Sequence, residues 1–163
     1  YIWASSEPGR GSTFTVQLPQ VEPAQAARGV APRLVAEGGE GTILLAEDER
    51  LVAALLKRGL AEAGYRVETA ADGHEALAVM ERLDGGVTAV VSDVIMPRMS
   101  GRELAIQIRQ RWPNTLILFM SGYTNQEIVR RGLLSPDEAF IQKPFAPSEL
   151  NAALAALRAG AAG

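Results

Sequence analysis

The chain has 163 residues, enough to bury one substantial core and too few for two large domains. Lys plus Arg number 16 against 19 Asp plus Glu, and the net charge of −3 excludes a broad basic footprint for nucleic acid or an anionic membrane. No Cys and a single His exclude a disulfide framework, a thiolate metal site, a cysteine nucleophile and any site needing two histidines.

A hydrophobic content of 47% with 21% charged residues is ordinary for a globular domain. No apolar run approaches the roughly 18 residues of a membrane span, and the start has no basic-then-apolar signal pattern. A soluble, cytoplasmic piece is therefore expected, with neither nucleic acid nor membrane as a direct partner.

Residues 1–20 read as two short strands flanking the turn Glu7-Pro8-Gly9-Arg10-Gly11, a hairpin that cannot stand alone. Residues 21–40, rich in Ala, Pro and Gly without lasting periodicity, read as a linker. From 41 to 163 short apolar runs alternate with helical periods, the pattern of an α/β domain. The strands are expected at Thr42–Ala46, Arg66–Thr69, Ala89–Ser92, Leu116–Met120 and Ala139–Gln142. The first helix, Arg50–Ala63, is expected to place Leu51, Leu55, Leu56 and Leu60 on one stripe. Further helices are expected over His74–Arg82 with Asp72 as cap, over Arg102–Arg111, over Asn125–Arg131, and from a Ser148 cap through Arg158. Five such units make a doubly wound five-stranded parallel sheet.

In such a sheet ligands bind at the carboxyl ends of the strands. The first strand ends in Glu47-Asp48-Glu49, the third in Asp93, the fourth in Ser121 and the fifth in Lys143-Pro144. Three carboxylates within ~5 Å repel by on the order of 3 kcal/mol per pair at an effective dielectric near 20, which a cation must offset. Oxygen-only ligands call for a hard ion, and Mg²⁺ suits a site that also takes phosphate oxygens. A hydroxyl and an ammonium on the opposite rim suit a phosphoryl group. His74 reads as a plain surface residue and Arg130-Arg131 as a solvated helix end.

The segments ILLAEDE (43–49), VVSDVIMPRMSG (90–101), LFMSGY (118–123) and AFIQKPF (139–145) resemble, in order, the four motifs of the response-regulator receiver domain of two-component signalling. The resemblance covers about 41–159 and implies a flavodoxin-like strand order 2-1-3-4-5. It also implies Asp93 as phosphoacceptor, Glu47 and Asp48 as the acidic pair, and a metal contact from the Ile95 backbone carbonyl. Ser121 and Lys143 would hold the phosphoryl oxygens. Phe140 matches the aromatic switch position, and its residue type suits ordinary core packing equally well. Two departures stand out: Gly122 where Ala is common, and a long stretch between Arg131 and Phe140. GRGSTF (9–14) resembles the last glycine box of a histidine-kinase ATP-binding domain, and the resemblance implies that the hairpin is its C-terminal remnant and the chain the C-terminal part of a hybrid sensor kinase, a transferase.

The function expected is that of a phosphoacceptor module rather than an enzyme. Asp93 would take a phosphoryl group from phosphohistidine in a Mg²⁺-dependent step and switch a protein-interaction face, with a histidine kinase or histidine phosphotransfer protein as partner. The alternative is a Mg²⁺-dependent aspartyl-phosphate phosphatase using the same groups. Such enzymes need a second acid beside the nucleophile, and Ile95, two residues after Asp93, is apolar.

Overall fold

Gly9, with φ at +78°, takes a left-handed turn that a residue with a side chain resists, and it folds the first seventeen residues back on themselves. In the computed structural model, which describes residues 1–17 and 39–161, strand β1 (Ile2–Glu7) pairs antiparallel with β2 (Gly11–Val16). The register runs from Ile2 opposite Val16 to Glu7 opposite Gly11, so Ile2, Ala4, Phe14 and Val16 share one face. Ile2, Phe14 and Val16 are more than half exposed. The hairpin belongs to a unit separate from residues 39–161. The expected linker lies outside the described residues except for Gly39 and Glu40.

In the second unit β3 (Thr42–Ala46), β4 (Arg66–Ala70), β5 (Ala89–Asp93), β6 (Leu116–Ser121) and β7 (Phe140–Gln142) form a parallel sheet in the order β4-β3-β5-β6-β7. This is the 2-1-3-4-5 order expected. The central strands are covered on both faces, as their unbroken apolar runs require. Leu44, Val90 and Phe119 point to the side covered by α2 (Gly73–Arg82), α3 (Gly101–Arg111) and α4 (Asn125–Arg130), where Met80, Leu104, Ile108 and Ile128 meet them. Ile43, Leu45, Val91 and Met120 point to the other side, against Leu56 and Leu60 of α1 (Arg50–Glu62) and Leu150 and Leu154 of α5 (Pro147–Ala161). Each such side chain contributes about 1.5–3 kcal/mol of burial.

The expected stripe on α1 is only half right. Leu56 and Leu60 are buried, but Leu51 is 81% and Leu55 58% exposed. At about 100° per residue, Leu51 lies about half a turn from Leu60. The rotation is set from outside the helix, by Gly59 seated against Pro147 of α5, where a Cβ would come within 2.4 Å of the proline ring.

Ser148 does not cap α5. The helix begins one residue earlier, at Pro147, whose missing N–H costs nothing in a first turn, and Glu149 accepts a hydrogen bond from the Ala146 N–H at 2.6 Å. Asp72 does cap α2, accepting from the His74 and Glu75 N–H groups at 2.7 and 3.0 Å. Capping boxes start α3 at Ser100 with Glu103, and α4 at Thr124 with Glu127. The long stretch after Arg131 folds against the domain: Leu134 is buried, and Arg109 of α3 grips Glu138 through two hydrogen bonds of 2.8 and 2.5 Å.

Candidate functional site

Parallel strands end side by side, so β3, β5 and β7 deliver their last side chains to one place. Asp93 is the final residue of β5, and Glu47 and Asp48 follow directly on β3. Carboxylate oxygens of Glu47, Asp48 and Asp93 lie within 4.8 Å of one another. Glu47 is buried, Asp93 half-buried and Asp48 exposed, so the cluster opens to solvent on the Asp48 side.

Lys143, immediately after β7, offsets part of this cluster's charge. Its Nζ donates to Glu47 Oε2 and to Asp93 Oδ2, each at 2.6 Å. Burial pushes the Glu47 carboxyl above its ordinary range, against the pull of the Lys143 ammonium. Burial also works against the charged form of Lys143, but the hydrogen bonds and charges of Asp93 and Glu47 outweigh it and raise the lysine above its ordinary value.

Asp93 is fixed through its second oxygen as well, since the Ile95 N–H donates to Oδ1 at 3.1 Å. Ser92 donates from Oγ to the Asp93 carbonyl at 2.9 Å. Gly101, at the start of α3, lies so close to this turn that a Cβ would come within 2.1 Å of the Asp93 carbonyl oxygen. The glycine is what lets α3 begin beside the strand end.

Ser121 closes β6 and is buried. Its Oγ accepts from the Tyr123 N–H at 3.1 Å, and its carbonyl accepts from the Lys143 N–H at 2.7 Å. The hydroxyl's own proton therefore stays free to be donated. The structure brings Glu47, Asp48, Asp93, Lys143 and the Ile95 backbone together, and ties Ser121 to them through Lys143. Phe140 is set apart: it lies half-buried opposite Phe119, against the α2–α3 side of the core.

Sequence reasoning missed two neighbours. Arg98 adopts φ of +65° in the loop after Asp93 and pairs with the enclosed Asp72. Arg131 stacks its guanidinium over the Tyr123 ring, 4.8 Å from the centroid. No local pattern announces either pairing, because each joins residues that only the tertiary fold brings together.

The donor set fits a hard divalent cation. It is all oxygen: Glu47, Asp48 and Asp93 would hold a small hard ion of Mg²⁺ type, and the Lys143 ammonium is the cluster's internal counter-charge.

The model of the response regulator receiver domain matches residues 43–155. The sensor kinase CckA of Brucella abortus (strain 2308) is 36% identical over 158 residues, 92% of this chain and 17% of that protein. The transcriptional regulatory protein TcrA of Mycobacterium tuberculosis (strain ATCC 25618 / H37Rv) is 38% identical over 117 residues, 71% of this chain and 45% of that one. The chain thus spans less than half of each of these relatives. Among solved structures, the receiver domain from the hybrid histidine kinase CckA superposes with a TM-score of 0.62 at 32% identity, covering 72% of this chain and 99% of that one.

Proposed function

The chain belongs to the response-regulator receiver family, signalling modules of two-component phosphorelays, and on that premise we propose that Asp93 is the phosphoacceptor. The observation that carries this is the position of Asp93, held between the Ile95 N–H on one oxygen and Lys143 on the other, inside a cluster of carboxylates able to hold a cation. An Asp93 oxygen attacks the phosphorus of a phosphohistidine. The P–N bond breaks with its electron pair going to the imidazole, and the new P–O bond leaves an acyl phosphate on Asp93.

Lys143, already at the carboxylate, shifts its donors onto the phosphoryl oxygens, and Ser121 supplies its free hydroxyl proton as a hydrogen bond to one of them. Asp48 and Asp93, with Glu47 directly or through water and the Ile95 carbonyl, would hold Mg²⁺. When bound, the ion supplies positive charge against the oxygens of the transferring group. Movement of Ser121 toward the new dianion biases the face formed by α4 and β7, with Phe140 as its aromatic element.

The match to the sensor kinase takes in 92% of the chain and so must include most of the residues ahead of Thr42. That supports reading residues 1–20, which carry the β1–β2 hairpin, as the end of a kinase ATP-binding domain, 21–40 as a linker and 41–163 as the receiver of a hybrid kinase. The partner is then a histidine kinase or a histidine phosphotransfer protein in the cytoplasm. No helix among the described residues is long and apolar enough to cross a membrane.

The phosphatase alternative is not favoured: Ile95, where turnover needs a proton donor, is apolar and 52% exposed. Acetyl phosphate with Mg²⁺ should label the chain to one phosphoryl group per molecule, and Asp93→Ala should abolish it. Wild-type labelling of Asp93→Ala, or continuous phosphate release, overturns the assignment.

A further inference from the structure

The loop from Val94 to Ser100 has to hold Asp93 still, since its Ile95 N–H is one of the two donors on that carboxylate. What holds the loop is less obvious. Its ends meet where the Gly101 N–H donates to the Val94 carbonyl at 3.1 Å, but its middle turns outward at Arg98, a non-glycine residue with φ of +65°. A left-handed arginine persists only where its surroundings fix it.

Two contacts fix it, both on the first turn of α2. Met99 packs against Gly73 so closely that a Cβ there would come within 2.6 Å of the Met99 side chain. The Arg98 guanidinium pairs with Asp72, whose carboxylate is fully enclosed, and reaches Glu75 at 3.6 Å. Asp72 spends Oδ1 on the helix cap, which leaves Oδ2 inside the protein with Arg98 as its counter-charge. A buried carboxylate strongly demands such a partner, and that demand is what pins the left-handed turn in place.

We infer that Arg98 is a positioning residue for the acceptor site: by clamping the loop to Asp72 at the N-terminus of α2, it holds the Ile95 backbone against Asp93 and so sets the site's affinity for divalent cation and its rate of phosphorylation. Arg98 touches neither phosphoryl group nor metal in this account and acts only through the loop. The inference rests on the reading of Asp93 as phosphoacceptor.

The test uses the full chain, with Mg²⁺ alone as ligand by calorimetry and acetyl phosphate as the labelling probe, at a temperature well below every variant's Tm. Arg98→Ala and Arg98→Gly should each weaken Mg²⁺ binding about tenfold, the low end for a residue that orients a ligand indirectly. Labelling should slow in parallel. Glycine accepts the left-handed backbone freely, so agreement between the two variants assigns the effect to the side chain. Arg98→Lys keeps the charge and should recover most of the affinity. Asp72→Asn keeps the capping oxygen but not the charge, and combined with Arg98→Ala it should be no worse than the weaker single variant, because both act through one contact.

A lower Tm with Mg²⁺ affinity and labelling rate unchanged in Arg98→Ala and Arg98→Gly would make the pair merely structural and overturn the inference. Failure of the wild type to bind Mg²⁺, or wild-type labelling of Asp93→Asn, would instead overturn the reading of the site.

Discussion

Lys143→Met removes the ammonium that lies 2.6 Å from both Glu47 and Asp93 and keeps a side chain of similar reach. Left behind is a Glu47 carboxylate only 2% exposed, with oxygens of Asp48 and Asp93 within 4.8 Å. The chain's least costly escape is to protonate Glu47. From an ordinary value of 4.5, that proton costs about 3.4 kcal/mol at pH 7 and about 0.7 kcal/mol at pH 5, at about 1.36 kcal/mol per unit of pH. Burial already holds Glu47 above 4.5, so both figures are ceilings. The variant should therefore lose up to about 3 kcal/mol of stability at pH 7 and less than about 1 kcal/mol at pH 5.

The sign follows from linkage. A carboxyl whose folded value is raised contributes stability that is fully present below its unfolded value and lost as pH rises through the folded one. Removing Lys143 raises Glu47 further, so the loss must grow as pH climbs past the wild-type folded value, which itself lies above 4.5. Urea unfolding of wild type and variant at both pH values, without divalent ions, measures it. Mg²⁺ should then stabilise the variant more than the wild type, because no ammonium competes for the carboxylates; at a hundredfold excess over Kd, ligand linkage returns about 2.7 kcal/mol. An equal loss at pH 5 and pH 7, or no loss at pH 7, refutes the view of Lys143 as the internal counterion.

Gly101→Ala should cost more than about 2 kcal/mol and slow labelling, read by urea unfolding and acetyl phosphate, because the new methyl collides with the Asp93 carbonyl. Ile95→Asn and Ile95→Glu should change the rate of phosphoryl loss while leaving Mg²⁺ affinity intact, because only the backbone of residue 95 is assigned to the metal; identical decay in all three proteins would remove Ile95 from control of the attacking water. Deleting residues 1–38, which spares the Gly39 N–H bond to Ala63, should leave Tm within about 2 °C and Mg²⁺ binding unchanged, and a larger drop would move the domain boundary.

The acid cluster is legible in the sequence because a parallel sheet leaves few choices. An apolar run of four or five residues fixes a strand, and the next polar residue stands at its carboxyl end beside its neighbours'. Glu47, Asp48, Asp93 and Lys143 follow from that rule, and the strand ends shifted by only a residue. What escaped depends on contacts made across the sequence. Leu51 and Leu56 are equally apolar, and only the seat of Gly59 on Pro147 says which faces the core. Ser148 is a good cap by type, but Pro147 and Glu149 together offered a better start one residue earlier. No sequence pattern links Arg98 to Asp72, 26 positions back and enclosed in the fold.

The two margins of the five-stranded sheet bear on how such a module can be carried inside longer proteins. β7 has only three residues and runs straight into Lys143-Pro144, where the proline has no N–H to offer a neighbouring strand. β4, at the opposite margin, carries Arg66 and Glu68, the latter paired with Arg82 at 2.9 Å. Neither margin is a template on which a stranger's backbone could zip up. A domain tethered to other folded units meets them at millimolar effective concentration for its whole life. Borders of this kind would let a receiver domain so tethered brush against its neighbours without fusing to them, leaving lasting contact to side chains.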